Sequence, residues 1–101
     1  MPVKGSFKKV RLQGKAIRTL DEFYSEIARK LRFPDHFGRN LDALWDVLTT
    51  DVKGPVQLVW EDLDVSQKAM KKDFQKVAAL LRQVEKERKD FKVFFQEPPE
   101  G

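Results

Sequence analysis

The chain has 101 residues, 41% of them hydrophobic and 36% charged, which suits one globular domain with a single core and is too short for two. It has no cysteine, so disulfides, thiolate catalysis and cysteine-based zinc or iron-sulfur sites are excluded. Behind a net charge of +4, residues 1–32 carry nine Lys/Arg against three Asp/Glu, residues 33–64 two against seven and residues 65–101 nine against six, so the acid is concentrated in the middle third.

FKKVRLQG alternates Val10 and Leu12 with charged residues and closes on Gly14, which predicts a first strand. Thr19-Leu20-Asp21-Glu22 has the form of a capping box, the Thr19 hydroxyl and Glu22 carboxylate satisfying each other's free backbone N–H groups. The helix it opens carries Leu20, Phe23, Ile27 and Leu31 on one face and should end before Pro34, which disfavours helical backbone at Phe33. Asp35 to Arg39 then form a loop containing Gly38.

Asn40 suits the N-cap of a second helix running to about Thr50. At about 100° per residue from Leu41, Leu44 and Leu48 fall near about 300° and 340°, Asp42 and Asp46 near about 100° and 140°, and Trp45 near about 40°. The leucines therefore face the core, the carboxylates share an exposed edge one turn apart, and the indole lies on the seam. Like charges at this spacing cost a helix a few tenths of a kcal/mol. An aromatic beside paired carboxylates suits a basic partner, but the same pattern also suits a solvated face with a core tryptophan, and the residues alone leave both open.

PVQLVW, residues 55–60, reads as a buried strand. Residues 63–89 read as helix with a break expected near Lys71-Lys72, its inner face marked by Phe74, Val77, Ala78, Leu81 and Val84. FKVFFQ, residues 91–96, is a third strand. Strands separated by helices favour parallel pairing, so the expected fold is α/β: a small three-stranded parallel sheet packed with about four helices. One domain over residues 1–96 is expected, with 97–101 a disordered tail. No window approaches the roughly 18 consecutive apolar residues of a membrane span, and MPVKGSFKKV lacks the apolar stretch of a secretory signal, so a cytoplasmic location is expected.

The run F-P-D-H-F-G-R-N-L-D-A-L-W-D-V-L-T, residues 33–49, resembles the signature of the barstar family, small bacterial cytoplasmic inhibitors of secreted ribonucleases, whose pattern is P-x-[YH]-[YF]-G-x-N-x-D-A-[LF]-W-D. The resemblance extends from about Val10 to Gln96 and implies a three-stranded parallel sheet with four helices. It implies that the loop and second helix plug a ribonuclease active site, their carboxylates standing in for substrate phosphates. The implied contacts are His36, Phe37, Asn40, Leu41, Asp42, Trp45 and Asp46, with Asp46 the central charge. At three positions the chain departs from the family: His36 replaces an inhibitory tyrosine, Asp51 an aromatic just past the second helix, and Gln83 a glutamate on the last helix. Asp51 and Gln83 complete the implied contact set as rim positions. With Arg39 in the loop and the positive net charge, these departures point to a related toxin domain or another nuclease as the target.

The resulting expectation is a barstar-like immunity protein that binds a basic ribonuclease or nuclease toxin one to one and is monomeric when free. No catalytic residues, metal ligands, cofactor, small-molecule substrate or membrane attachment are expected. The sole histidine, His36, has no cysteine to activate, no second histidine for a metal and no Gly-rich phosphate loop nearby, so an enzyme is disfavoured. The alternative is an RNA-binding or general protein-interaction module. Lys68, Lys71, Lys72 and Lys76 form one basic run and Lys4, Lys8, Lys9 and Arg11 another, but neither offers a series of aromatics for stacking, so nucleic acid is not the expected partner.

Overall fold

A computed structural model of the chain describes residues 8–96. The expected tail at 97–101, and Lys4 of the N-terminal basic run, lie outside these residues. Strand β1 (Lys8–Gln13) is followed by a 3-10 turn (Gly14–Ala16), α1 (Leu20–Leu31), α2 (Leu41–Asp46) continuing into a π-helical turn (Val47–Asp51), β2 (Val56–Glu61), α3 (Leu63–Met70), α4 (Lys72–Glu87) and β3 (Phe91–Phe95). The strands lie in the order β1-β2-β3, and both neighbouring pairs are parallel. Each parallel neighbour requires a crossover, supplied by α1 with α2 and then by α3 with α4. The expected α/β architecture of three parallel strands and four helices is therefore the observed one.

Alternation along the strands sends Val10, Leu12, Val56, Leu58, Trp60, Phe91 and Val93 to one face, where they are buried against the helices. Trp60 is the centre of this layer. Its ring stacks on Phe23 at 5.2 Å between centroids and meets the edge of Phe74 at the same distance. The indole N–H donates to the buried Ser66 hydroxyl at 3.0 Å, and that hydroxyl donates to the Gly14 carbonyl at 2.9 Å, so the polar atoms in this part of the core are paired. Gly14 can only be glycine: a Cβ there would lie 2.1 Å from the Glu61 carbonyl and 2.3 Å from that of Asp62.

The helix boundaries follow local chemistry with two refinements. At α1 the Thr19 hydroxyl accepts from the Glu22 N–H at 3.0 Å, as a capping box requires, but the Glu22 carboxylate accepts from the Arg18 N–H at 2.9 Å rather than from Thr19. The extended backbone entering the helix leaves the Arg18 N–H free, and the carboxylate takes it. Lys71 (φ 57°, ψ −121°) divides α3 from α4, its N–H bonding to the Gln67 carbonyl and its own carbonyl accepting from Phe74, so one helix ends and the next begins on one residue. Among the described residues, no helix is long and apolar enough to cross a membrane.

Candidate functional site

The first half of the acidic middle third folds into a loop held to α1 and a helix, α2, that packs against α4. Arg32, with φ 57°, ends α1 in the left-handed region, and the Phe33 N–H still reaches the Ala28 carbonyl at 2.9 Å. The chain then turns sharply: the Phe37 N–H donates to the Pro34 carbonyl at 3.0 Å, which places Asp35 and His36 at the exposed corner. Phe37 points back. Its half-buried ring meets Phe33 edge-on at 4.9 Å and Tyr24 at 5.7 Å, pinning the loop to α1.

Arg39 also turns inward. One of its guanidinium nitrogens donates to the Asp21 carbonyl at 2.9 Å, to the Asp21 carboxylate and to the Ser25 hydroxyl at 3.1 Å, and the group lies 6.0 Å from the Tyr24 ring centroid. The positive charge that the sequence adds to this loop is thus paired with α1. Asn40 is spent locally as well: its side-chain oxygen accepts from the Ala43 N–H at 2.7 Å and its amide donates to the Gly38 carbonyl at 3.2 Å. Such an N-cap contributes about 1 kcal/mol to its helix.

What remains outward on α2 is acidic. Asp42 and Asp46 are exposed one turn apart on α2, and among the described residues neither carboxylate has a hydrogen-bond or ion-pair partner. Trp45 between them is half-buried against the core, while Leu44 and Leu48 are completely buried. Leu41, expected with those leucines in the core, is only half-buried because it stands in the first turn, where the helix overhangs the edge of the core. A hollow of about 350 Å³ opens beside it, lined by Leu20, Tyr24, Arg39, Asn40, Leu41 and Asp42. Among the described residues the buried Tyr24 hydroxyl has no hydrogen-bond partner, and burial, reinforced by Asp73 and opposed by Arg39, raises its pKa, so it remains neutral at physiological pH.

The second helix does run to about residue 50, but it widens after Asp46 into π winding. The Val52 N–H reaches the Val47 carbonyl at 3.0 Å, and the Thr49 hydroxyl donates to the Trp45 carbonyl at 2.8 Å, while the Thr50 hydroxyl donates to that of Asp46. The threonines thus satisfy carbonyls that the wider winding releases. Asp51 is exposed at its end, and Gln83 is exposed on α4, the helix that packs against α2 and the π turn.

Arg88 fastens this turn to the sheet. Its guanidinium donates to the Leu48 and Val52 carbonyls, both at 2.7 Å, and forms two 2.8 Å bonds with the Asp90 carboxylate at the start of β3. Gly54 passes so close that a Cβ would lie 2.2 Å from an Asp90 carboxylate oxygen. The hydrogen bonds from Arg88 hold the Asp90 carboxyl below its ordinary range. A carboxyl with a depressed folded-state pKa contributes stability above its unfolded pKa and loses it as pH falls through the folded value. Melting temperature should therefore be level from pH 7 to about 5 and fall below about 4, modestly because the carboxylate is half-exposed and screened. Asp90→Asn should fall less steeply over the same range; parallel profiles for the two proteins would show that this pair is not linked to folding.

Among the described residues, no group of three or more His, Asp or Glu side chains converges as a metal site would require. The chain matches, over residues 7–96, the family model described as Barstar (barnase inhibitor). A Bacillus subtilis (strain 168) protein named "Putative ribonuclease inhibitor YrdF" is 32% identical over 90 residues, covering 88% of this chain and 99% of that protein.

Proposed function

Since the chain belongs to the barstar family, we propose that it inhibits a basic ribonuclease or related nuclease toxin by seating its loop and α2 in the active site, one molecule to one. The observation that carries this reading is the pair of exposed carboxylates of Asp42 and Asp46 astride Trp45, unpartnered among the described residues, beside a loop whose Arg39 and Asn40 are engaged within the chain. Carboxylates desolvated among guanidinium, ammonium and imidazolium groups form short charge-assisted bonds, as substrate phosphates would. Asp46 is assigned the central position and Asp42 supports it. Leu41 and Trp45 supply apolar contact, and His36, Asp51 and Gln83 form the rim. Phe37 and Asn40, whose side chains face α1 and the helix start, act chiefly by holding the loop in shape.

In this reading the protein is made in the bacterial cytoplasm as immunity against a nuclease the cell itself produces, and it has no catalytic role. The bacterial relative's name supports a ribonuclease as the target class. Titrating the protein into a panel of basic ribonucleases and nuclease toxin domains should give a 1:1 complex that no longer cleaves RNA, and an active-site nucleotide should compete with it. A complex that holds inhibitor and nucleotide together would overturn the proposal.

A further inference from the structure

The face of the sheet turned away from the helices brings together residues that the sequence keeps apart. Parallel register aligns Lys9 with Gln57 and Gln57 with Lys92, and two residues along it aligns Arg11 with Val59 and Val59 with Phe94. Side chains two apart on a strand share a face, so these six form two adjacent rows. Lys9, Arg11 and Lys92 are exposed, and Phe94, beside Lys92 on β3 and across Val59 from Arg11, is the large hydrophobic that the described residues leave exposed, at 47%. A shallow hollow of about 460 Å³ is lined by Lys9, Arg11, Gln57, Val59 and Phe94 with Glu61 beside them, and Lys92 lies outside it. The neighbouring carboxylate, Glu61, is already engaged, 3.6 Å from Arg11 and accepting from the Gln13 amide at 3.2 Å.

We propose that this face binds single-stranded nucleic acid, with a base stacked on Phe94, phosphates on Lys9, Arg11 and Lys92, and the Gln57 amide toward the base edges. Three cations spread over one sheet face with an exposed aromatic ring at its edge match a chain that alternates anionic links with planar apolar rings. A base reaches such a ring only when unpaired, which selects a single strand over a duplex. A second copy of this chain would set three cations against three. An acidic peptide would answer the cations but leave the ring without a flat partner. Phe74, within the basic run at 68–76, is buried in the core, whereas Phe94 of β3 is brought by the sheet onto the same face as Lys9 and Arg11 of β1. The surface lies across the sheet from α2, and its function does not depend on nuclease inhibition.

The test is fluorescence anisotropy with a labelled oligouridine of about ten nucleotides, within the site size of small single-strand binders, on variants shown to be folded by circular dichroism. Oligouridine should bind at low salt, and Phe94→Ala should weaken it roughly tenfold or more. Replacing Lys9 and Lys92 together by Gln should flatten the dependence of log affinity on log salt by about 1.4, at about 0.7 for each phosphate no longer neutralised. Absence of binding at low salt, unaltered binding by Phe94→Ala, tighter binding of the corresponding duplex, or displacement by a glutamate-rich peptide at lower concentration than by unlabelled oligouridine would each overturn the proposal.

Discussion

Asp46→Ala should lose tight binding to the target nuclease without weakening the fold. The carboxylate is exposed and unpartnered, alanine has the better helix propensity, and removing one of two like charges a turn apart relieves repulsion. Folding stability should thus be unchanged or higher by a few tenths of a kcal/mol. Binding should fall by about 2–5 kcal/mol, or roughly 30- to 5000-fold, because the enzyme's cations would be left buried and unpaired; this range rests in part on measurements of barnase with barstar itself. Leu44→Ala provides the converse. That side chain is completely buried, and its truncation should cost about 2–5 kcal/mol of folding stability while the remaining folded molecules still bind. Thermal melts and calorimetric titration of both variants decide the matter. An Asp46→Ala protein that melts several degrees lower, or binds as tightly as wild type, would make the acidic edge structural.

Arg88→Met should be among the most destabilising single changes away from the apolar core. Methionine keeps much of the aliphatic stem but removes donors to the Leu48 and Val52 carbonyls and the only guanidinium bonded to Asp90 among the described residues. Each buried acceptor left without a donor costs about 1–3 kcal/mol, less where water can enter, so a total near 2–4 kcal/mol is expected. In a domain of this size that lowers Tm by roughly 10–25 °C. Affinity for the nuclease should also drop, although Arg88 is not assigned a contact with it, because the π turn that follows α2 would lose its tie to β3. Chemical denaturation and binding of the same preparation measure both effects. A midpoint indistinguishable from wild type would mean that the four bonds contribute nothing net.

These two residues differ in how visible they are in the sequence. Asp46 stands out because helical periodicity is local: its offset from Leu44 and Leu48 fixes its side of the helix before any tertiary contact is known. The Thr19 and Asn40 caps, the break at Lys71 and the alternation of β1 are legible for the same reason. Arg88 sits in the run KERKD and looks like any solvated cation; its partners at Leu48 and Val52 lie 40 and 36 residues away. The inward turn of Arg39 and Phe37 likewise depends on α1 lying alongside, which spacing within the loop does not encode. The π winding has a faint signal in paired Thr49 and Thr50, whose hydroxyls can satisfy released carbonyls, but threonine pairs are equally at home in strands. In the sequence Phe94 looks like one more apolar residue of a buried strand, because which faces of a sheet are covered is decided by the crossovers.

Phe37, Arg39 and Asn40 hold the loop from within, whereas positions 35, 36, 42, 46 and 51 face outward. On the proposed reading, scaffold and recognition are thus written in different letters of the same short segment. Replacing the outward letters would then alter the surface offered to a nuclease while sparing the contacts that hold the loop, so a lineage pursuing a diverging toxin could change its address one substitution at a time without repair mutations inside the protein.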